Sequence, residues 1–306
     1  MTEAEARTRV WRHAGGLLQL DPPVVMAVLN VTPDSFHDGG ALSCAGEVDP
    51  GRVLDTASVA VRAGARLLDV GGESTRPGAH AVDAEEELAR VLPAIRALAA
   101  LSVPVSVDTR RASVADAALD AGAVIVNDVS GLSDPAMAEV VARHGAGLVI
   151  GHLRGQPDTM QVSIAFSDLL AEVTRELAVS VARAQESGVS LGQVVVDPGV
   201  GFGKTASQSA ALVACSRTLE RAVGVPVMVG ASRKSFIGAV VPSSPADRLP
   251  GSLAAAVVAV QHGAAVIRVH DVPQTVQALA VAAAIEQAIS AASTVGPPTE
   301  AMGGGA

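Results

Sequence analysis

Short apolar runs, each ending in glycine or a polar side chain and each followed by a longer amphipathic stretch, recur along this chain. The clearest covers 225–229, Val-Pro-Val-Met-Val, then breaks at Gly230 and delivers Ser232, Arg233, Lys234 and Ser235 into a turn. A run of that length bounded by turn residues reads as a strand buried on both faces. The same layout predicts strands over 24–29, 66–70, 103–107, 123–126, 147–150, 193–196, 225–229 and 264–269. Helices are predicted after them over 50–63, 84–99, 112–121, 135–143, 165–186, 206–222, 253–262 and 272–289. Glu85, Glu86 and Glu87 stand near the positive end of the second helix, where carboxylates stabilise it.

Strands alternating with helices imply parallel βαβ units. A doubly wound sheet could carry them, but eight units over about 270 residues fit an α/β (β/α)8 TIM barrel better, with its active site at the C-terminal mouth. Residues 1–20 are expected to form an N-terminal leader, a helix or a small hairpin turning at Gly15 and Gly16. Residues 21–290 form the barrel domain, and 291–306, rich in Gly, Pro and Thr, a disordered tail.

Composition narrows the classes. Hydrophobic residues make up 49% of the 306 and charged ones only 17%, so the core is large; aromatics are 2%, so it is built from Val, Ala, Leu and Ile. A net charge of −9 argues against a general nucleic-acid binder, which needs basic surface to replace phosphate counterions. An anionic ligand must then be met by local cations or a metal. Cys44 and Cys215 lack any pairing pattern for a disulfide or structural zinc. The start carries acids where a secretion signal is basic, and no uninterrupted apolar run reaches membrane-spanning length. A soluble cytoplasmic chain acting on small molecules, with no nucleic-acid or membrane partner, is expected.

In a barrel every strand's C-terminal end faces one mouth, and there the polar residues fall: Asn30, Glu73, Asp108, Asn127, His152, Asp197, Lys234 and His270. Asp108 and Asp197 could each cap a following helix. Taken together with Asn127, they suit a planar ring bearing adjacent N–H donors, such as an amino-oxo pyrimidine edge. The glycine-rich Gly199-Val200-Gly201-Phe202-Gly203-Lys204 lacks the spacing of a P-loop, and Gly201 would let the backbone turn tightly so that Phe202 lines the pocket. Arg268 and His270, two apart on one strand face, could hold an anion with Thr75 and Asn30; the alternative is a capping Thr and a structural ion pair. The loops over 32–49 and 73–82 have the length of lids.

These residues lie in seven motifs: Leu29-Asn30-Val31-Thr32-Pro33-Asp34-Ser35-Phe36, Asp69-Val70-Gly71-Gly72-Glu73-Ser74-Thr75-Arg76-Pro77-Gly78, Ser106-Val107-Asp108-Thr109, Asn127-Asp128-Val129-Ser130-Gly131, Asp197-Pro198-Gly199-Val200-Gly201-Phe202, Ser232-Arg233-Lys234-Ser235 and Arg268-Val269-His270-Asp271-Val272. Together they resemble the dihydropteroate synthase family over nearly the whole chain. The resemblance implies a pterin-binding barrel that joins 6-hydroxymethyl-7,8-dihydropterin diphosphate to p-aminobenzoate. It implies that Asp108, Asn127, Asp197 and Lys234 hold the pterin beside Gly230, with Arg268 stacked on the ring. Asn30, Thr75, Arg268 and His270 would bind the diphosphate, Asn30 also meeting Mg2+. Phe202, Pro77, Lys234 and Ser235 would frame the p-aminobenzoate pocket, Thr75 and Arg76 would also bind substrate, and Asp108, Lys234, Arg268 and His270 would be the catalytic set, with a homodimer as the assembly. Three positions depart from the family pattern: Ala27 for Gly, His37 for Ser and Gly151 for Met. A non-condensing pterin-binding paralogue and a methyltetrahydrofolate-dependent methyltransferase are the alternatives.

Overall fold

The apolar runs form eight parallel strands: β1 Val24–Asn30, β2 Leu67–Gly71, β3 Val105–Asp108, β4 Ile125–Asp128, β5 Gly147–Gly151, β6 Val194–Asp197, β7 Met228–Val229 and β8 Val266–Val269. The structure is a computed structural model that describes residues 9–32, 42–44, 47–74, 82–156, 159–162 and 164–294. Strands β1 to β6 pair in chain order, β8 pairs with β1, and β7 with β8. The ring closes between β6 and β7 through a single bridge, Val196 to Val227, with the Val196 N–H donating to Pro226 O at 3.0 Å. Pro226 has no N–H to return, so β7 is shorter than the predicted 225–229.

Ten helices among the described residues surround the strands: α1 Pro50–Arg62, α2 Ala84–Leu98, α3 Ala112–Asp120, α4 Met137–His144, α5 Leu169–Glu186, α6 Ala206–Val213, α7 Ser216–Val223, α8 Ser235–Val240, α9 Leu249–Gln261 and α10 Val272–Thr294. Their starts follow capping chemistry. Asp49 accepts from Gly51 N and Arg52 N at α1, and Asp83 from Glu86 N at α2. Asp168 caps α5, which is why that helix begins after the predicted 165. The predicted helix over 206–222 is two helices. The chain turns at Ala214 and Cys215, whose N–H groups reach carbonyls three residues back. The short α8, directly after Lys234, was not anticipated. By length and composition α10 could cross a membrane; its first turns instead bury Val272 and Thr275 against the barrel.

The two-residue period of the strands sorts their side chains. Val25, Ala27 and Leu29 of β1 join the apolar layer under the helices. Val24 and Met26 point inward with Leu67, Ile125, Val149, Val195, Met228 and Val266, forming a dry layer inside the barrel. Two residues further along the strands stand Asp69, Asn127, Asp197, Gly230 and Arg268, so the polar layer rests directly on an apolar one. Gly151, one of the departures from the family pattern, has a steric reason: a Cβ there would lie 2.7 Å from Val129 Cα.

Residues 10–19 form an antiparallel hairpin, Val10–His13 with Gly16–Gln19. Its Trp11 and Leu18 join the inner apolar layer, and Trp11 Nε1 donates to Gln193 O at 2.7 Å. The hairpin thus stoppers the end of the barrel away from the mouth. Trp11→Ala should cost about 3–5 kcal/mol of unfolding free energy in denaturant melts followed by circular dichroism. A loss below about 1 kcal/mol would mean that the hairpin adds little to barrel stability.

Candidate active site

A cavity of about 440 Å³ opens at the C-terminal mouth, within the size range of small-molecule sites. Asn30, Glu73, Asp108, Phe202, Lys234, Ser235, Arg268 and His270 line it, so most of the residues singled out in the sequence meet in one space. Thr75, Arg76, Pro77 and His37, with most of the two proposed lids, lie outside the described residues.

Arg268 is the centre of the floor. From β8 its Nε donates to Asp69 Oδ2 at 2.6 Å and its Nη2 to Asp108 Oδ2 at 2.7 Å. Asn127 Nδ2 donates to the same Asp69 oxygen at 3.0 Å. Asp69 is fully buried and was not assigned a role from sequence. Its signal was an acid in the middle of the apolar run Leu67-Leu68-Asp69-Val70, where a charge survives only if paired. Asp69 Oδ1 and Asn127 Oδ1 remain buried with no partner among the described residues.

Electrostatics tune this floor. Burial pushes the Asp108 carboxyl up to about 7; Arg268 pulls it down, while the charges of Asp69, Glu87 and Asp128 add to the rise. Asp197 is also raised by burial, against the pull of Lys234 and a hydrogen bond of 2.7 Å from Gly199 N. Burial lowers Lys234 to about 8, with Asp197 opposing. Arg268 remains a cation, because the two carboxylates outweigh its desolvation. Gly230 leaves space between Asp197 and Arg268: a Cβ there would stand 3.7 Å from Asp197 Oδ2 and 3.8 Å from Arg268 Cβ.

The two cations of the Ser-Arg-Lys-Ser turn diverge. Arg233 adopts φ 58°, which turns the chain sharply, and its Nε donates to Asp271 Oδ2 at 2.7 Å. Lys234 Nζ donates to Val200 O and lies 3.8 Å from the centre of the Phe202 ring, a cation–π contact. His270 Nδ1 is 3.0 Å from Ser232 Oγ.

Two mouth residues serve other ends. Glu73 lines the cavity but binds Arg110 and Arg111; burial raises its carboxyl, and the two guanidiniums more than reverse that. His152 does not line the cavity. Its Nε2 meets Glu176 at 3.0 Å and its Nδ1 meets Lys204 Nζ at 2.9 Å, and burial, helped by the Lys204 charge, lowers its imidazole to about 4.

The chain matches the pterin binding enzyme family over residues 26–270. Dihydropteroate synthase of Escherichia coli K12 is 42% identical over 278 residues, 90% of this chain and 95% of that protein. A structure of Yersinia pestis dihydropteroate synthase with a sulfonamide drug superposes with TM-score 0.85 at 39% identity, covering 91% of this chain and 99% of that one. The Burkholderia cenocepacia synthase complexed with 7,8-dihydropteroate gives 0.83 at 38% identity, over 93% and 99% of the two chains. The strand order, the floor built on Arg268 and these likenesses agree: the chain belongs to the pterin-binding enzymes, and within them to the dihydropteroate synthase family.

Proposed function

We propose that this chain joins 6-hydroxymethyl-7,8-dihydropterin diphosphate to p-aminobenzoate, forming 7,8-dihydropteroate and pyrophosphate in folate biosynthesis. The observation that carries this reading is Asp108 and Arg268 in the lining of one cavity, tied to Asp69 and Asn127 buried behind them, with Asp197 buried beside Gly230. Unpartnered buried acceptors at Asp69 and Asn127 call for a ligand with neighbouring N–H donors, which the amino-oxo edge of a pterin has. The planar Arg268 guanidinium suits stacking on that ring. On this reading Asp108, Asn127, Asp197 and Lys234 hold the pterin beside Gly230. Asn30, Arg268 and His270, with Thr75, take the diphosphate. Phe202, Lys234 and Ser235, with Pro77, frame the arylamine, and Arg76 is a further substrate-binding residue.

Mg2+ belongs to the same proposal. Asn30 Oδ1 and Asp108 Oδ2 flank Gly71, 3.5 and 3.7 Å from where its Cβ would stand. No group of three or more His, Cys, Asp or Glu side chains among the described residues is arranged to hold a metal. A single amide oxygen beside a substrate diphosphate fits Mg2+, which keeps most of its waters and binds phosphate oxygens. Asn30 would hold the ion, whose chemistry when bound is to neutralise charge on the diphosphate.

The dihydropterin ring releases electron density toward its exocyclic carbon, and the C–O bond breaks with its electron pair leaving on the diphosphate. Ionised Asp108 favours the cation left on the pterin, and Arg268 and His270 stabilise the departing oxygen. The arylamine nitrogen, already neutral and nucleophilic, forms the new C–N bond and then loses a proton. No general base is needed to activate it.

The helical outer face supports a homodimer. Val258 of α9 and Val281, Ile285 and Ile289 of α10 are exposed, and the last three repeat every fourth residue along one face. A soluble cytoplasmic location without membrane or nucleic-acid partners completes the reading, in keeping with the net charge of −9. Light scattering without detergent should return a particle twice the 30.6 kDa of one chain. Ile285→Glu should halve that mass; a wild type that runs as a monomer overturns the assembly.

Pyrophosphate release should require both substrates and stop when Mg2+ is chelated. Pterin binding without release would leave a non-condensing protein instead. Asp108→Asn should lower kcat by about 10²–10³-fold and change KM for p-aminobenzoate by less than about threefold. Equal losses in both would overturn the role of Asp108. Asp108 also sets a pH dependence. Below about 7 the free carboxyl is mostly protonated. N–H donors of the ligand favour the ionised form, so binding expels a proton and weakens as pH falls through that range. Calorimetry with a pterin lacking the diphosphate, in buffers of different ionisation enthalpy, should detect that proton in wild type and not in Asp108→Asn.

A further inference from the structure

Lys204 ends the glycine-rich loop after β6, and the proposed chemistry leaves it unused. It is 4% exposed. Its ammonium makes three hydrogen bonds: to His152 Nδ1 at 2.9 Å, His152 O at 3.1 Å and Phe202 O at 2.8 Å. An ammonium has three hydrogens, so all are committed. No carboxylate lies in ion-pair contact with it among the described residues. His152 Nδ1 therefore accepts, and the other ring nitrogen carries the hydrogen that Glu176 Oε2 receives at 3.0 Å. Arg154 in turn binds Glu176 and Glu172.

The loop after β6 is shaped to let Lys204 meet His152. Gly199 sits at φ 71°, and a Cβ there would lie 2.0 Å from His152 O and 3.1 Å from Lys204 Nζ. Gly201 sits at φ 81°, and a Cβ there would lie 3.0 Å from Lys234 Cδ. The loop is thus gripped from both sides. Lys234 takes the carbonyl of Val200 from the cavity side, and Lys204 takes that of Phe202 from the core side. The Phe202 ring, held between these two carbonyl anchors, lies against the Lys234 ammonium.

A buried ammonium without a contacting carboxylate is a costly way to stabilise a fold. Burial drives Lys204 down to about 7; the charges of Lys234 and Arg154 add to the fall, and those of Asp197 and Glu176 resist it. The cost is offset only by the three acceptors it satisfies, all on the loop after β6 and on His152. Its contribution is therefore to what it holds in place.

We infer that Lys204 is a positioning residue for the arylamine: by tying the loop after β6 to His152 after β5, it fixes the Phe202 ring as one wall of the arylamine site, with no hydrogen bond of its own to Asp69, Asp108, Asn127, Asp197 or Arg268. This rests on the reaction assigned above. Lys204→Met keeps the length and removes the three bonds. The variant leaves three buried acceptors unpaired, so its melting temperature should fall by several degrees while the chain stays folded at assay temperature. Its KM for p-aminobenzoate should rise about tenfold, with KM for the pterin diphosphate and kcat within about twofold. In a double-mutant cycle with Phe202→Ala, the second change should add less than about twofold to the arylamine KM, because both act through one ring. Should Lys204→Met not fold, Lys204→Gln, which keeps an amide donor on a shorter stem, is measured in its place and must raise the arylamine KM at least about threefold. An unchanged arylamine KM, or equal changes in both KM values, overturns the clamp while leaving the assigned reaction intact. A wild type that turns over neither substrate overturns the reaction and, with it, the clamp.

Discussion

One guanidinium inside the barrel governs the site. Arg268 points inward from β8, two residues above Val266 and on the same face. A cation in that position is tolerable only with carboxylates on both sides, and Asp69 and Asp108 supply them from β2 and β3. Asn127 of β4 then binds the same Asp69 oxygen that Arg268 holds. Four strands are therefore tied by one connected set of charges. The apolar layer beneath, stoppered by Trp11, keeps water from reaching them from below. Each group's ionisation depends on its neighbours through the low-dielectric interior, which explains why Asp108 rises and Arg268 remains charged in the same few ångströms.

The walls follow different physics from the floor. The floor is built on strands, with side chains locked by register. The walls are loops, and loops need anchors. The loop after β6 has glycines at positive φ for close approach and two lysines for grip. The turn after β7 spends an unfavourable φ at Arg233, held by Asp271 and by Ser252 Oγ on its N–H at 2.8 Å. That strained residue lets Lys234 enter the cavity while Arg233 leaves the same turn toward Asp271.

The barrel was legible in the sequence because strand and helix runs alternate with clear breaks, and the mouth because polar residues follow the strands. Asp108, Lys234, Arg268 and His270 meet in the lining of one cavity, while Asn127 and Asp197 stand buried outside that lining. The sequence pattern misled where tertiary contacts decided the outcome. His152 follows β5 as the others follow their strands, yet it turns to Lys204 and Glu176. Pro226 shortened β7 by removing a donor, and the turn at Cys215 divided a helix that periodicity joined. Asp69 lay inside a quoted motif, but its partner Arg268 is 199 residues away, so no local pattern could reveal the pair.

Charge is distributed unevenly along the depth of the cavity. The buried carboxylates of Asp69, Asp108 and Asp197 outnumber the cations set among them, Arg268 and Lys234. The rest of the lining includes Asn30, Ser232, Arg248 and His270; Arg233 is paired with Asp271, and Glu73 with two arginines. A cavity with Asp108 beside Arg268 at one place and hydrogen-bond donors such as Arg248 at another is ill suited to a ligand of uniform charge. It suits a molecule whose ring becomes positive as an anionic group departs outward, because both ends of the developing charge separation then fall where the fixed charges favour them. Phe202 and Lys234, the wall proposed for the arylamine, line the same cavity in mutual contact.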